Sequence, residues 1–449
     1  MFTSRSVVEA YQDCPRLRYN NYHLLGKGVV GVSKSVPLVT GSAVHRGVEH
    51  LLNRVRIGQE PDIETAVHLA VEQYVKDVEG VGFSGKNLQT DKQQWFTFNE
   101  QKALVEGLVR AWYIVELPRL VERYKVLAVE RDIEPIVISY DYNILFHQAK
   151  VDAEFQEIAT GDYVNYSLKT TKQWSERNEE NYKSDLQGVT EIWAMEEDAK
   201  RENNRLDEML ALVNKLYEGD NSKYAQFTTV KAYLAKRKQD KKISAIRFCY
   251  LVKGIRKTPD YYSQDPEALM ITYSPLIRGY KNFTPGGVSY AHSWFYPNPN
   301  NKSGKSILGK GWEPFNVWEA MGVKEWMEML PQLQPECGDI IKSQVVTPVE
   351  YFRSEAEIKE AIAEIKVLEL RLSRGLFNIE SKNSCDNPEA EEFRILTDYF
   401  PHNRKHCYFH FGYKCSYLPL CWQPEVAADP IGSGLYQIRE AHHEAERNS

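Results

Sequence analysis

The chain has 449 residues, 42% of them hydrophobic and 26% charged, with a net charge of -6 at neutral pH. No apolar run approaches the roughly 20 residues of a membrane span, and the polar, amphipathic start "MFTSRSVVEAYQDCP" lacks the basic cluster and apolar stretch of a secretory signal, so a soluble, cytoplasmic protein is expected. A negative global field gives no general attraction to nucleic acid, and any such contact has to come from a local basic surface.

Residues 4–25 carry a helical pattern capped at Ser4 or Ser6, with a break at Pro15 just after Cys14. A loop leads to a second helix opening at "TGSAVHRGVEHLLNRV", whose apolar face sets Val44, Val48, Leu51 and Leu52 near His45. Further helix is expected across 62–79 and 98–123. After Tyr124 the period changes: "YKVLAVERDIEPIVIS", "YNILFHQAKVDAEFQEI" and "DYVNYSLKTT" read as three strands of a meander. Helix resumes in "DLQGVTEIWAMEEDAKRENN" and "LDEMLALVNKLYEG", then a strand, "AIRFCYLVKGI". A Pro-, Gly- and Tyr-rich region up to about 345 reads as an insertion with strands of its own. A helix from Ser354, with Glu357 at capping-box spacing, leads into the cysteine-rich end. This divides the chain into N-terminal helices (1–60), a helical region (61–123), a core sheet with a following helix (124–225), the insertion (226–345), a C-terminal helix with cysteines (346–425) and a tail (426–449).

Seven cysteines, an odd number in an intracellular chain, argue against a disulfide framework. Cys407, Cys415 and Cys421 gather in "CYFHFGYKCSYLPLC", and thiolates grouped in this way suit a soft metal or an iron-sulfur cluster. Three leave such a site one ligand short, and Cys14, near the other end, is the candidate for the fourth. The spacing alone leaves open zinc, iron-sulfur and three buried core cysteines.

Asp152 in "KVDAEF" and Lys169 at the end of the next strand can meet across an antiparallel pair and share a cleft with His45. A carboxylate, an imidazole and an ammonium on one spot outline a metal-assisted phosphodiester site, with Mg²⁺ or Mn²⁺ as the ion for hard oxygen ligands. Singly, each residue reads as an ordinary helix histidine, turn acid or strand-end lysine.

The order of these motifs resembles the iron-sulfur branch of the PD-(D/E)xK nuclease superfamily: RecB-type and AddB-type nuclease domains, CRISPR-associated adaptation exonucleases and related phage-encoded proteins. "CPRLRY" at Cys14 is similar to the family's first cysteine motif, and "GSAVHRGVEHLL" to its G-x-x-H helix, with His45 one residue later. "VLAVERD" at Glu130, "KVDAEF" at Asp152, "YSLKTT" at Lys169 and "DLQGVTEIWA" at Gln187 follow in family order, and the last three cysteines close the series. The resemblance implies an α/β, restriction-endonuclease-like core with a central mixed sheet flanked by helices, plus the large insertion. It implies a structural 4Fe-4S cluster on Cys14, Cys407, Cys415 and Cys421 that joins the N- and C-terminal segments. His45 and Asp152 would be metal ligands, Lys169 would position or activate water, and Gln187 would orient the lysine or contact DNA. The implied activity is metal-dependent hydrolysis of DNA, as an exonuclease on single strands or ends.

One departure bears on that activity. Where the family has Asp or Glu two residues before the lysine, this chain has Ser167, a hydroxyl in place of an anionic ligand. Glu191, one turn after Gln187, could supply the missing carboxylate; Glu154, by face parity with Asp152, and Asp162 are further donors. The alternatives are an inactive nuclease fold that binds DNA ends or a protein partner, and a zinc-stapled interaction module. Lys236, Arg237, Lys238, Lys241 and Lys242, with "VKGIRK" and "NKSGKSILGKGW", are the basic candidates for DNA contact, and the insertion could cover the cleft or bind a protein partner.

Overall fold

The computed structural model describes residues 2–32, 36–79, 92–139, 144–171, 180, 185–217, 224–237, 242–253, 295–297, 312–314, 345–347, 350–408 and 414–441. The chain is α/β, with a mixed central sheet flanked by helices. In chain order come β1 (Phe2–Thr3), α1 (Arg5–Asp13), α2 (Pro15–Tyr22), β2 (Val29–Gly31), α3 (Val36–Arg56), α4 (Ile63–Glu79) and α5 (Lys92–Arg123). The strands β3 (Tyr124–Ser139), β4 (Leu145–Glu157) and β5 (Tyr163–Thr171) precede α6 (Leu186–Tyr217), α7 (Tyr224–Arg237) and β6 (Ile243–Val252). The remainder comprises β7 (Phe295–Pro297), β8 (Trp312–Pro314), β9 (Val345–Val346), α8 (Glu355–Ser381), α9 (Pro388–Tyr399), α10 (Leu418–Trp422), α11 (Pro424–Ala428) and β10 (Tyr436–Ile438).

The expected meander forms, β3 and β5 each pairing antiparallel with β4. From β5 the chain crosses over through α6 and α7 to β6, which lies parallel to β5, and β9 adds an antiparallel edge. β1 pairs with Phe146 and His147 of β4, where β3 also pairs, so β1 must lie on the edge of β4 opposite β3. β5 takes that same edge further along, at residues 153–156. Between the two, residues 148–152 of β4 have no strand partner on that side among the described residues.

Two apolar cores form on the two faces. Helices α3, α4 and α5 bury Val44, Leu51, Ala70, Leu108 and Trp112 against Phe155, Tyr166 and Leu168, and the Trp112 Nε1–H donates to the Tyr166 hydroxyl at 2.8 Å, so the indole is buried with its polar atom satisfied. Helix α6 seats Val189, Ile192 and Met195 against Val151, Ile246 and Phe248 on the other face. Burial of each such side chain contributes about 1.5–3 kcal/mol. At the start of α8, the Ser354 hydroxyl accepts from the Glu357 N–H while the Glu357 carboxylate accepts from the Ser354 N–H, the reciprocal cap its spacing predicts.

Several elements differ from expectation. Helix α3 begins at Val36, before the expected start, because Pro37 sits in the first turn, where a missing N–H costs nothing. The segment read as a tail is in part structured: β10 pairs antiparallel with β2, and Tyr436 joins Val29, Tyr417, Leu420 and Val426 in a small core. Residues 442–449 lie outside the described residues, as does most of the expected insertion (226–345), of which most of α7, β6 and the β7–β8 pair are described, β6 as a strand of the central sheet. Among the described residues no helix is long and apolar enough to cross a membrane.

The two ends of the chain meet at a buried ion pair. Arg18 of α2 donates from both terminal nitrogens to the Glu369 carboxylate of α8, at 2.7 and 2.6 Å, and the Thr3 hydroxyl donates to the same carboxylate. Both charged side chains are fully buried. Arg16 reaches the end of α9, donating to the carbonyls of Phe400 and Leu396, and Tyr19 packs on Phe400.

Candidate metal centre and thiol cluster

Strand alternation would send Asp152 and Ala153 to opposite faces, and the fold breaks that rule at this point. On β4, Ala149 and Val151 belong to the α6-side core, whereas Ala153 and Phe155 belong to the α3-side core. On β3, Ile133 and Ile136 belong to the α6 side, whereas Val126 and Val129 pack on the α3 side. The two changes face each other, since Val129 pairs with Ala153 and Arg131 with Val151. Between them stands Glu130, whose φ of 48° lies in the left-handed region that a side chain beyond Gly or Asn seldom occupies. The shift of phase brings the Glu130 and Asp152 carboxylates together beneath α3.

His45 descends on them from that helix. Gly41, one turn earlier, packs so closely on β5 that a Cβ there would stand 3.1 Å from the Thr170 hydroxyl oxygen, so its lack of a side chain lets α3 lie low over the sheet. His45 Nδ1 is 3.7 Å from Glu130 Oε1 and 3.8 Å from Asp152 Oδ1. Ligand atoms of His45, Glu130 and Asp152 lie within 4.8 Å of one another, the one such group of His, Cys, Asp or Glu among the described residues. The cleft they line with Glu49 and Leu168 holds about 10 Å³, room for about one water-sized occupant. Burial alone would lower the His45 pKa, but the Asp152 and Glu130 carboxylates outweigh it and hold the imidazole above its usual value. Burial likewise works against the Glu130 carboxylate, yet His45 and Lys150 keep its pKa below the usual range.

Behind Asp152 runs a buried polar chain to α6. Asp152 Oδ2 accepts from the Leu168 N–H at 2.8 Å and from the Ser167 hydroxyl at 3.1 Å. The Gln187 amide donates to Ser167 Oγ at 2.9 Å and to Glu191 Oε1 at 2.6 Å, and the Asn165 amide donates to Glu191 Oε2 at 2.6 Å. Full burial pushes the Glu191 carboxyl up to about 7, although Lys169, Asn165 and Gln187 favour its charged form. Lys169, opposite Tyr250 in the β5–β6 register, stands near enough to Glu191, His45 and Glu9 to act on the charge of each.

The site therefore places His45 and Asp152 together, with Ser167 one hydrogen bond behind Asp152 and Gln187 two. Glu191 is engaged by two amides and is not part of the three-residue group. Glu130 completes that group, a residue the motif order marks without a role and whose convergence on Asp152 depends on a backbone phase that the sequence does not display. The parity that relates Glu154 to Asp152 fails for the same reason, and the Glu154 carboxylate accepts instead from Arg131, which also binds Asp198 of α6. Asp162 lies in the β4–β5 turn. Of the basic candidates, Lys236 and Arg237 end α7 and Lys242 precedes β6, while Lys238, Lys241, residues 254–257 and residues 301–311 lie outside the described residues.

The second grouping joins the chain ends. Cys14 links α1 to α2, and its sulfur accepts from the Asn403 N–H at 3.3 Å. Cys421 accepts from the Asn20 amide at 3.6 Å, the Cys407 thiol donates to the Asn403 carbonyl, and the Cys415 N–H donates to the Cys407 carbonyl. Burial raises the pKa of Cys415 and takes that of Cys421 to about 11; the neighbouring sulfurs add to both shifts, and Arg16 opposes the second. Tetrahedral zinc, with Zn–S near 2.3 Å, needs thiolates roughly 3.8 Å apart, and no three of these sulfurs lie within 4.8 Å of one another. Of the other cysteines, Cys249 is buried, Cys385 is exposed, and Cys337 lies outside the described residues. No family model and no curated protein matches the chain.

Proposed function

We propose that this chain is a metal-dependent deoxyribonuclease with a restriction-endonuclease-like core, acting on single-stranded DNA or DNA ends. The observation that carries the reading is the convergence of His45, Glu130 and Asp152 where β4 and β5 part, with Lys169 on the adjoining strand. One imidazole and two carboxylates suit Mn²⁺ or Mg²⁺. Bound there, the cation would supply Lewis-acid stabilisation of phosphate charge and acidify an attacking water. The chain's own residues do the rest. Lys169 adds positive charge where the phosphate would lie, and Gln187, through Ser167, fixes the orientation of Asp152. Water attacks phosphorus, the bond to the leaving oxygen breaks, and a proton ends on that oxygen.

In this reading Glu130 supplies the charge that Ser167 does not. The four thiols suit a 4Fe-4S cluster: no three of their sulfurs lie within 4.8 Å of one another, Cys14 and Cys421 accept from N–H donors, and the Arg16 charge acts on Cys421. Cleavage of 5′- or 3′-labelled single-stranded DNA in Mn²⁺, absent in Asp152→Asn, is the expected result. Retention of full activity by Asp152→Asn would sink the reading.

The neutral Ser167 beside Asp152 favours a second reading, an inactive fold that binds DNA ends. DNA-end binding without cleavage, with cleavage appearing in Ser167→Asp, would select it.

A further inference from the structure

Lys150 lies two residues before Asp152, in the stretch of β4 that has no strand partner on its β5 side among the described residues, and opposite Asp132 of β3. Its ammonium stands 2.7 Å from Glu130 Oε2, while the other oxygen, Oε1, faces His45. Glu130 is thus held at both ends, by a left-handed backbone and by a cation on one carboxylate oxygen. We infer that Lys150 is a positioning residue of the metal centre: it pins Oε2 so that Oε1 is presented to the point shared with His45 and Asp152. This rests on the metal-site reading proposed above.

Two physical effects of Lys150 oppose each other, which makes its role measurable. As a charge, it lowers the net negative potential that attracts a divalent cation, so its removal should tighten binding. As an orienter, it restricts a carboxylate that would otherwise turn toward water, so its removal should loosen binding, as loss of an outer partner of a ligand does by about 10- to 100-fold. The other acids near Lys150, Asp132 and Glu49, are available to it in either case. A side chain that is 32% exposed and serves as an ordinary surface ion pair would change little on removal.

The test is the affinity of the full chain for Mn²⁺ alone, followed by the paramagnetic resonance of the free ion, with thermal melts run beside it. Lys150→Met and Lys150→Gln should each weaken binding at least tenfold at an unchanged melting temperature, and Lys150→Arg should restore most of the loss. Equal or tighter binding by either neutral variant, or no recovery with Lys150→Arg, overturns the inference while leaving the metal site standing. A wild-type chain that takes up no Mn²⁺ overturns the metal site and the inference together.

Discussion

The two centres are built in opposite ways. At the first, two neighbouring strands and one helix bring His45, Glu130 and Asp152 together through a local shift of backbone phase, on a sheet covered by apolar cores on both faces. At the second, residues hundreds of positions apart meet through a clasp of polar contacts: Arg18 on Glu369, Arg16 on the end of α9, and β10 on β2. The small cores beside the clasp hold few fully buried side chains. A site on a packed sheet can lose a ligand and keep its shape, whereas one that fastens two ends shares its stability with the clasp.

The largest expected effect strikes the first centre alone. Asp152→Asn should reduce DNA cleavage by about 10³-fold, the scale of losing a principal electrostatic contribution to the transition state. Any visible absorption from the thiol centre and the melting temperature should stay as in the wild type; loss of that absorption would show that the two centres are not independent. Next in size, Arg18→Met leaves Glu369 as an unpaired buried charge and should cost about 3–5 kcal/mol in urea unfolding. It should also release the thiol centre, read as faster loss of absorption on dilution, while Mn²⁺ still binds below the melting point.

Glu191→Gln should have a smaller, pH-dependent effect. A carboxyl whose folded pKa is raised to about 7 favours folding while it holds its proton; relative to the unfolded chain, that contribution is lost as pH rises from about 4.5 toward 7. The variant should therefore match the wild type at pH 4.5 and be more stable by about 1–3 kcal/mol at pH 8, measured by urea melts. The smallest effect concerns His45, whose raised pKa makes a proton compete with the metal. Mn²⁺ affinity should rise with pH through the titration of the imidazole and then level off, by at most about tenfold per unit for one displaced proton. A flat profile would remove His45 from the ligand set.

Much of this was legible in the residues. Alternation marks β3, β4 and β5, helical period places His45 over them, and Ser354 with Glu357 marks the start of α8. The motif order marks the four thiols as one set; in the structure Cys14 and Cys407 both contact Asn403, and Cys421 contacts Asn20 of α2. Glu130 and Glu154 were not legible, since both depend on a change of phase inside a strand, and an alternation rule extrapolates across such a change without registering it. Strands β1, β2 and β10 were missed because each has two or three residues, too short for a period. Their existence is decided by the edges they find.

The left-handed backbone at Glu130 carries a consequence for how the protein can change over generations. Glycine or asparagine would be more comfortable at that angle, so the backbone at residue 130 favours discarding the carboxylate, against the ion pairs that hold it. A lineage released from the proposed need for the metal would shed that strain together with the ion pairs to Lys150 and His45. On the proposed metal site, that backbone conformation is the cost of presenting the Glu130 carboxylate to His45 and Asp152.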